Sequence, residues 1–135
     1  MKKVIIPGLI AGFTLLAFSY IALYLLVQFM PSLAEQYYNP AFSLEGNKTI
    51  LYFLHPFILS FALAWFWERF KGQFNGSSLL RGLELGLVYG IVATLPSMWI
   101  TFSSLALSFT LVGSWFVYGI IQASLVGLIY AKMNP

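Results

Sequence analysis

The chain has 135 residues, of which 60% are hydrophobic and 8% are charged, and its mean hydropathy is +0.85. A soluble domain of this size needs far more charge to cover its surface, so the composition excludes an ordinary globular fold and predicts a protein dissolved in lipid. The net charge of +3 comes from scattered residues that form no basic stripe, which argues against nucleic-acid binding. The lack of cysteine excludes disulfides, thiolate metal sites and thiol redox chemistry.

Four apolar segments follow one another along the chain, and each is close to the roughly 20 residues that a helix needs to cross the hydrocarbon of a bilayer. They fall at about residues 4–30, 50–70, 79–100 and 105–131, and an outer loop over residues 31–49 separates the first two. The segments lack the alternation of barrel strands, so helices must satisfy their backbone groups in lipid. We therefore predict an all-α polytopic membrane protein, a single domain with four transmembrane helices in an up-down bundle.

The first segment follows Lys2 and Lys3 and therefore shares features with a secretory signal peptide. Its apolar run from Val4 to Phe29 is too long for a signal sequence and long enough to span a bilayer. This length favours an uncleaved helix.

The basic residues are distributed unevenly between the two sides of the predicted bundle. Six of the seven fall on the side of the termini: Lys2, Lys3, Arg69, Lys71, Arg81 and Lys132. The first loop contributes only Lys48. Because short loops rich in lysine and arginine stay in the cytoplasm, we predict that both termini are cytoplasmic.

Aromatic residues mark the predicted boundaries of the spans. The tryptophans Trp65 and Trp67 lie near the inner end of the second segment, and Trp99 lies close to the third turn. The tyrosines Tyr37, Tyr38 and Tyr52 lie near the outer side. We interpret them as interfacial anchors that fix the depth of the helices.

Pro96 interrupts the third segment. Because proline lacks a backbone donor, we predict that the helix ends or kinks there. The uncharged stretch from Ser97 to Ser104 would then form a tight outer turn or a short interfacial segment.

Small residues recur at a spacing of four, which lets helix backbones approach closely in lipid. The pattern occurs in the first, third and fourth segments: Gly8 and Gly12, then Gly82, Gly86 and Gly90, then Gly119, Ala123 and Gly127. We expect the third and fourth helices to pack as an antiparallel hairpin, with the first helix packed against them or used between protomers.

Glu84 is the acid placed within the third segment. It follows Gly82 by two residues, about 200° around a helix, and therefore faces away from the glycine stripe. Both faces of the third helix are then expected to contact protein, which predicts a central helix or a surface that another chain covers. We expect structural ion pairing, with Arg81 one turn earlier or with another cation near the inner boundary, Arg69, Lys71 or Lys132. Proton or cation coupling is the alternative.

His55 and Gln122 are the other polar candidates within the spans. His55, the only histidine, is followed by Pro56, and we expect it to make an interfacial hydrogen bond, for instance to Tyr52. Haem or pigment ligation is the alternative. Gln122, deep in the fourth segment, is expected to bond a neighbouring helix, or alternatively to line a pathway.

Several features together resemble uncharacterised small four-helix inner-membrane proteins of bacteria: the glycine-spaced first helix (Gly8, Gly12), the outer-loop tyrosines (Tyr37, Tyr38) and the run from Arg81-Gly82 to Gly90 followed by Pro96. The resemblance covers most of the chain and implies an integral protein of the bacterial inner (plasma) membrane. It implies no activity.

The sequence contains no paired-carboxylate site, no histidine-rich cluster, no activated serine arrangement and no phosphate-binding glycine loop. We therefore expect no enzyme and no cofactor or metal. The expected function is a non-catalytic accessory or scaffold subunit, or an interaction protein of a larger membrane complex, whose partners are the lipid bilayer and other membrane subunits or copies of itself. The alternatives are a minimal homo-oligomeric transporter or channel with Glu84 and Gln122 along its path, and haem or pigment binding through His55.

Overall fold

The computed structural model describes residues 2–42, 46 and 48–135, and within these ranges the protein is helical and contains no strand. Residues 43–45 and 47 of the predicted outer loop lie outside the described residues. In chain order the elements are α1 (Lys2–Phe29), α2 (Pro31–Ala34), two 3₁₀ turns (Glu35–Tyr38 and Pro40–Phe42), α3 (Lys48–Phe70), α4 (Ser78–Tyr89), a π-helical turn (Gly90–Thr94), α5 (Leu95–Ser104) and α6 (Phe109–Met133).

Four long helices make up most of the fold, because α4, the π-helical turn and α5 run on as one helix over Ser78–Ser104. Each of the four is long and apolar enough to cross a membrane, and each contains an 18-residue stretch whose mean hydropathy lies between 1.6 and 2.1. The all-α fold with four candidate spans is therefore confirmed. The third span ends at Ser104 instead of residue 100, and the fourth begins at Phe109 instead of residue 105.

Serine side chains cap the N-termini of the last two long helices. Ser77 accepts a hydrogen bond from the Leu80 amide at 3.3 Å, and Ser108 accepts one from the Leu111 amide at 3.1 Å. Each hydroxyl satisfies an amide that has no partner within its helix, as a good N-cap does. These caps explain why α4 begins at Ser78 and α6 begins at Phe109, and why the turns before these two helices are short.

Pro96 does not end the third long helix, so of the two predicted effects, an end or a kink, the first is wrong. In the π-helical turn before it, the Leu95 amide donates to the Gly90 carbonyl, five residues earlier. The wider turn makes room for the proline ring, and Pro96 falls in the first turn of α5, where its missing amide is least costly. Residues 97–104 therefore continue the long helix and do not form a separate turn.

α6 lies at the centre of the bundle, where it packs against α1, α3 and α4. α1 packs mainly on α3, whereas α4 packs mainly on α6 and makes at most marginal contact with α1 and α3. The expectation of a central third helix is therefore wrong. The physical reason is that α6 has small or buried side chains on more than one face, while α4 has them only on its glycine side.

The predicted hairpin of the third and fourth helices is present, and small residues bring its two backbones together. A Cβ added to Gly127 would lie 2.9 Å from the Cα of Gly82, and one added to Gly86 would lie 2.9 Å from the Ile120 carbonyl oxygen. The whole contact line comprises Gly82, Gly86, Gly90, Gly119, Ala123 and Gly127. Only glycine allows the approach at Gly86, because a backbone carbonyl cannot move aside as a side chain can.

The first helix does contact the hairpin, through α6, as expected. Its glycines Gly8 and Gly12, however, pack on the second long helix and not on the hairpin. Their missing side chains leave room for the rings of Phe61 and Phe57 on α3. In addition, the buried Ser60 hydroxyl donates a hydrogen bond of 2.8 Å to the Gly8 carbonyl. α3 has no glycine stripe of its own, and its aromatic rings fill the grooves that the glycines of α1 leave.

The alternating helices bring the start of α1, the end of α3, the start of α4 and the end of α6 to one end of the bundle. We call this end the basic end, because it carries Lys2, Lys3, Arg69, Lys71, Arg81 and Lys132. The fully buried side chain of Trp67 fills the interior of the bundle at this end.

Candidate functional site

Glu84 lies on an outward face of α4 that no other part of the described chain covers. We call this surface the open face. It comprises Leu80, Leu83, Glu84 and Leu87 of α4 together with Ile91 of the π-helical turn that follows, all of them exposed. The glycine line that contacts α6 occupies the opposite side of the helix. Of the two predicted settings for Glu84, the structure contradicts the central helix, and a surface that another chain covers stays a prediction.

The expected ion pair between Glu84 and Arg81 is not formed. Arg81 lies over the ring of Trp67, 4.9 Å from its centroid, and donates a hydrogen bond of 3.2 Å to the Lys71 carbonyl. Among the described residues the one ion pair joins Lys71 to Glu68 at 3.2 Å. Sequence spacing of three residues allowed the pairing, but the tertiary contact with the indole turns Arg81 inward and away from Glu84.

A polar cluster surrounds Trp67 at the basic end. The indole nitrogen donates to the Asn134 carbonyl at 2.8 Å, while the Asn134 side chain accepts from Lys71 at 2.8 Å and donates to Glu68 at 2.6 Å. Trp67 is fully buried, so its interpretation as an interfacial anchor is wrong, whereas Trp65 is 58% exposed and can serve as one. Sequence reasoning missed Asn134, because nothing local links it to a residue 66 positions away.

Gln122 is buried in α6, with 4% of its surface exposed. It follows Tyr118 by one turn, and the Tyr118 hydroxyl lies 3.0 Å from that of Ser19 on α1. Near this level of the bundle, Thr94 of the π-helical turn is also buried, and its hydroxyl oxygen has no hydrogen-bond partner among the described residues. Gln122 and Glu84 are therefore not brought together: one side chain lies inside the bundle and the other on its outer surface.

His55 lies on the exposed surface of α3, about two turns from the start of that helix. No group of three or more histidine, cysteine or acidic side chains that could hold a metal occurs within the described parts of the chain. The structure therefore adds no further ligand to the hypothesis of haem or pigment binding through His55.

An aromatic cluster holds the outer loop against α6. The Trp115 indole donates a hydrogen bond of 2.6 Å to the Tyr37 hydroxyl, and the rings of Tyr37 and Phe42 pack near that of Trp115. Burial raises the pKa of Tyr37 above its usual value, so this hydroxyl stays neutral. Sequence reasoning missed Trp115, which marks where the loop contacts the bundle.

No protein-family model, curated protein or solved structure matches this chain.

Proposed function

We propose that the protein is an integral, non-catalytic subunit of a larger assembly in the bacterial inner membrane, and that it docks on its partner through the open face of α4. The four apolar helices support the membrane location. The gathering of six cations at the basic end supports a cytoplasmic position for both termini, as the positive-inside rule requires.

The observation that carries the docking proposal is the position of Glu84. It lies about 9 Å along the helix from Ser78, so it reaches into the hydrocarbon when the long helix is centred in a bilayer. Acidic side chains within spans almost always face protein or a water-filled cavity, because lipid cannot solvate them. Since α4 is peripheral and Glu84 is exposed, a helix from another chain is the natural cover.

The partner helix should offer a hydrogen-bond donor or a cation at the depth of Glu84. Four apolar residues surround Glu84 and would pack against the partner helix: Leu80, Leu83, Leu87 and Ile91. In lipid such packing and interhelical hydrogen bonds replace the hydrophobic drive that joins soluble subunits.

The test places a photo-crosslinking amino acid at Leu87, on the open face, and separately at Ile21 on α1. The two positions are matched, with 55% and 56% of the side chain exposed. After irradiation of native membranes, we expect a protein adduct from position 87 and lipid adducts alone from position 21. Glu84→Gln should lower the yield at position 87 several-fold while leaving the amount of inserted protein unchanged.

The identity of the adduct decides between the proposal and its rival. An unrelated chain supports the subunit function. A second copy of this chain favours the homo-oligomeric transporter or channel, because Glu84 would then lie at a self-interface that can enclose a path. In that case the reconstituted oligomer should carry flux that Glu84→Gln abolishes. Lipid adducts alone at position 87 would contradict both.

A further inference from the structure

The basic end carries a groove between the start of α1 and the end of α6. Its cavity volume is about 210 Å³, and its lining residues are Lys2, Lys3, Ile6, Pro7 and Met133. The two lysines begin α1, and the apolar side chains lie within about one turn of them or at the end of α6. A positive entrance beside an apolar floor suits a ligand with an anionic head and a hydrocarbon tail.

Three other cations of the basic end are engaged within the protein. The Arg69 guanidinium lies over the ring of Trp65, 4.5 Å from its centroid. Lys71 and Arg81 are held by the contacts around Trp67 described above. Their charges are partly used in these contacts and are not directed toward the groove.

Lys2 and Lys3, in contrast, are exposed and form no ion pair with any described residue. Glu68 is near enough to attract Lys3, but its Oε2 atom already accepts hydrogen bonds from Lys71 and Asn134. The charge available for an outside ligand therefore lies on Lys2 and Lys3 in the groove and on Lys132, the residue before Met133 of its lining.

An apolar track continues from the groove along α1. Ile6, Ile10 and Phe13 are exposed and recur on one side of the helix. The distance from Lys3 to Phe13 along the axis is about 15 Å, which is half the hydrocarbon thickness of a bilayer. An acyl chain of one leaflet can follow this track while its headgroup stays at the lysines.

We propose that this groove binds an anionic phospholipid, with the phosphate between Lys2 and Lys3 and an acyl chain along α1. Juxtamembrane lysines attract anionic headgroups, and the apolar floor distinguishes a whole lipid from a free anion. The inference rests on the proposed membrane location but is independent of the proposed partner at the open face.

The test titrates phosphatidylglycerol or phosphatidylcholine into the full chain purified in a neutral detergent and counts bound lipids by native mass spectrometry. Lys2→Gln/Lys3→Gln should weaken phosphatidylglycerol binding about 30-fold. The matched double variant Lys48→Gln/Arg69→Gln also removes two cations but leaves the groove intact, and it should bind within about twofold of the original chain.

A second pair of variants changes shape without changing charge. Ile6→Trp fills the groove and should also lower phosphatidylglycerol binding, whereas Ile21→Trp, at an exposed site far along α1, should not. This pair carries the test if loss of the lysines prevents insertion.

Three results would overturn the lipid site: equal binding of phosphatidylcholine, equal loss in the two double variants, or displacement of the lipid by an equal concentration of inorganic phosphate. Release of the protein from membranes by alkaline extraction would overturn the membrane location and the lipid site together. A stably inserted protein that does not discriminate between the lipids would overturn the lipid site alone.

Discussion

Trp67 joins three segments of the chain at the basic end. Its indole nitrogen bonds the Asn134 carbonyl, and Arg81 lies over its ring. We expect Trp67→Phe to destabilise the protein by about 1–2 kcal/mol, because phenylalanine keeps an aromatic ring but cannot donate the buried hydrogen bond. Equilibrium unfolding in mixed micelles, followed by circular dichroism, measures the change.

Trp65 provides the control, because it lies two residues earlier on the same helix and is exposed. Trp65→Phe should change the free energy of unfolding by less than about 0.5 kcal/mol. Equal effects of the two substitutions would show that the contact with Asn134 does not stabilise the fold.

At the scale of single residues, local pattern predicted the outward direction of Glu84 but not its surroundings. Helical geometry alone places Glu84 opposite Gly82. The position of Arg81 depends on Trp67, and Trp67 depends on Asn134, so each partner comes from another segment. Such long-range contacts have no signature in the spacing of residues along the chain.

Among the helix pairs, α4 and α6 make the closest backbone approach. Gly86→Ala should destabilise the protein by about 1–3 kcal/mol, because the new methyl group meets the Ile120 carbonyl and the Ser124 hydroxyl. The same unfolding experiment in mixed micelles measures the loss.

Gly113→Ala is the matched control within α6. A Cβ at Gly113 would meet nothing within 4 Å, and alanine favours a helix over glycine by about 1 kcal/mol. We therefore expect a neutral or stabilising effect at Gly113 and a destabilising one at Gly86. A neutral Gly86→Ala would contradict the close packing of the hairpin.

Hydropathy predicted the four long helices, because a helix that is to be surrounded by lipid must have apolar side chains at most positions. The glycine spacing predicted the hairpin for the same kind of local reason. The π-helical turn was not predictable, since it depends on how the Pro96 ring is accommodated while Thr94 packs beside Gly119. The sequence marked the position of the irregularity but not its form.

For the whole molecule, the absence of cysteine makes orientation directly testable. Ser103 is exposed at the end of α5 opposite the basic end. We expect Ser103→Cys to react with a membrane-impermeant maleimide in intact cells from which the outer membrane has been removed. Gln73→Cys, exposed in the turn at the basic end, should react only after the cells are lysed. The reverse pattern would place the termini outside the cytoplasm.

The arrangement of the helices was only partly predictable. Alternating spans fix the directions, but which helix becomes central depends on how many faces of each can be buried. α4 has one face that can be buried against another helix, and α6 has several. The sequence did not reveal this difference, because it did not show that the glycines of α1 pack on α3.

The packing order has a consequence for how the protein is made. α1 and α3, which pack on each other, are both synthesised before α4, so this pair can form while the rest is still on the ribosome. The glycine line of α4 stays uncovered until α6 is translated, whereas Glu84 stays uncovered in the finished chain as well. The basic end closes later still, when Asn134 reaches Trp67. In this order the hairpin of the third and fourth long helices can form only when the last of them has been made.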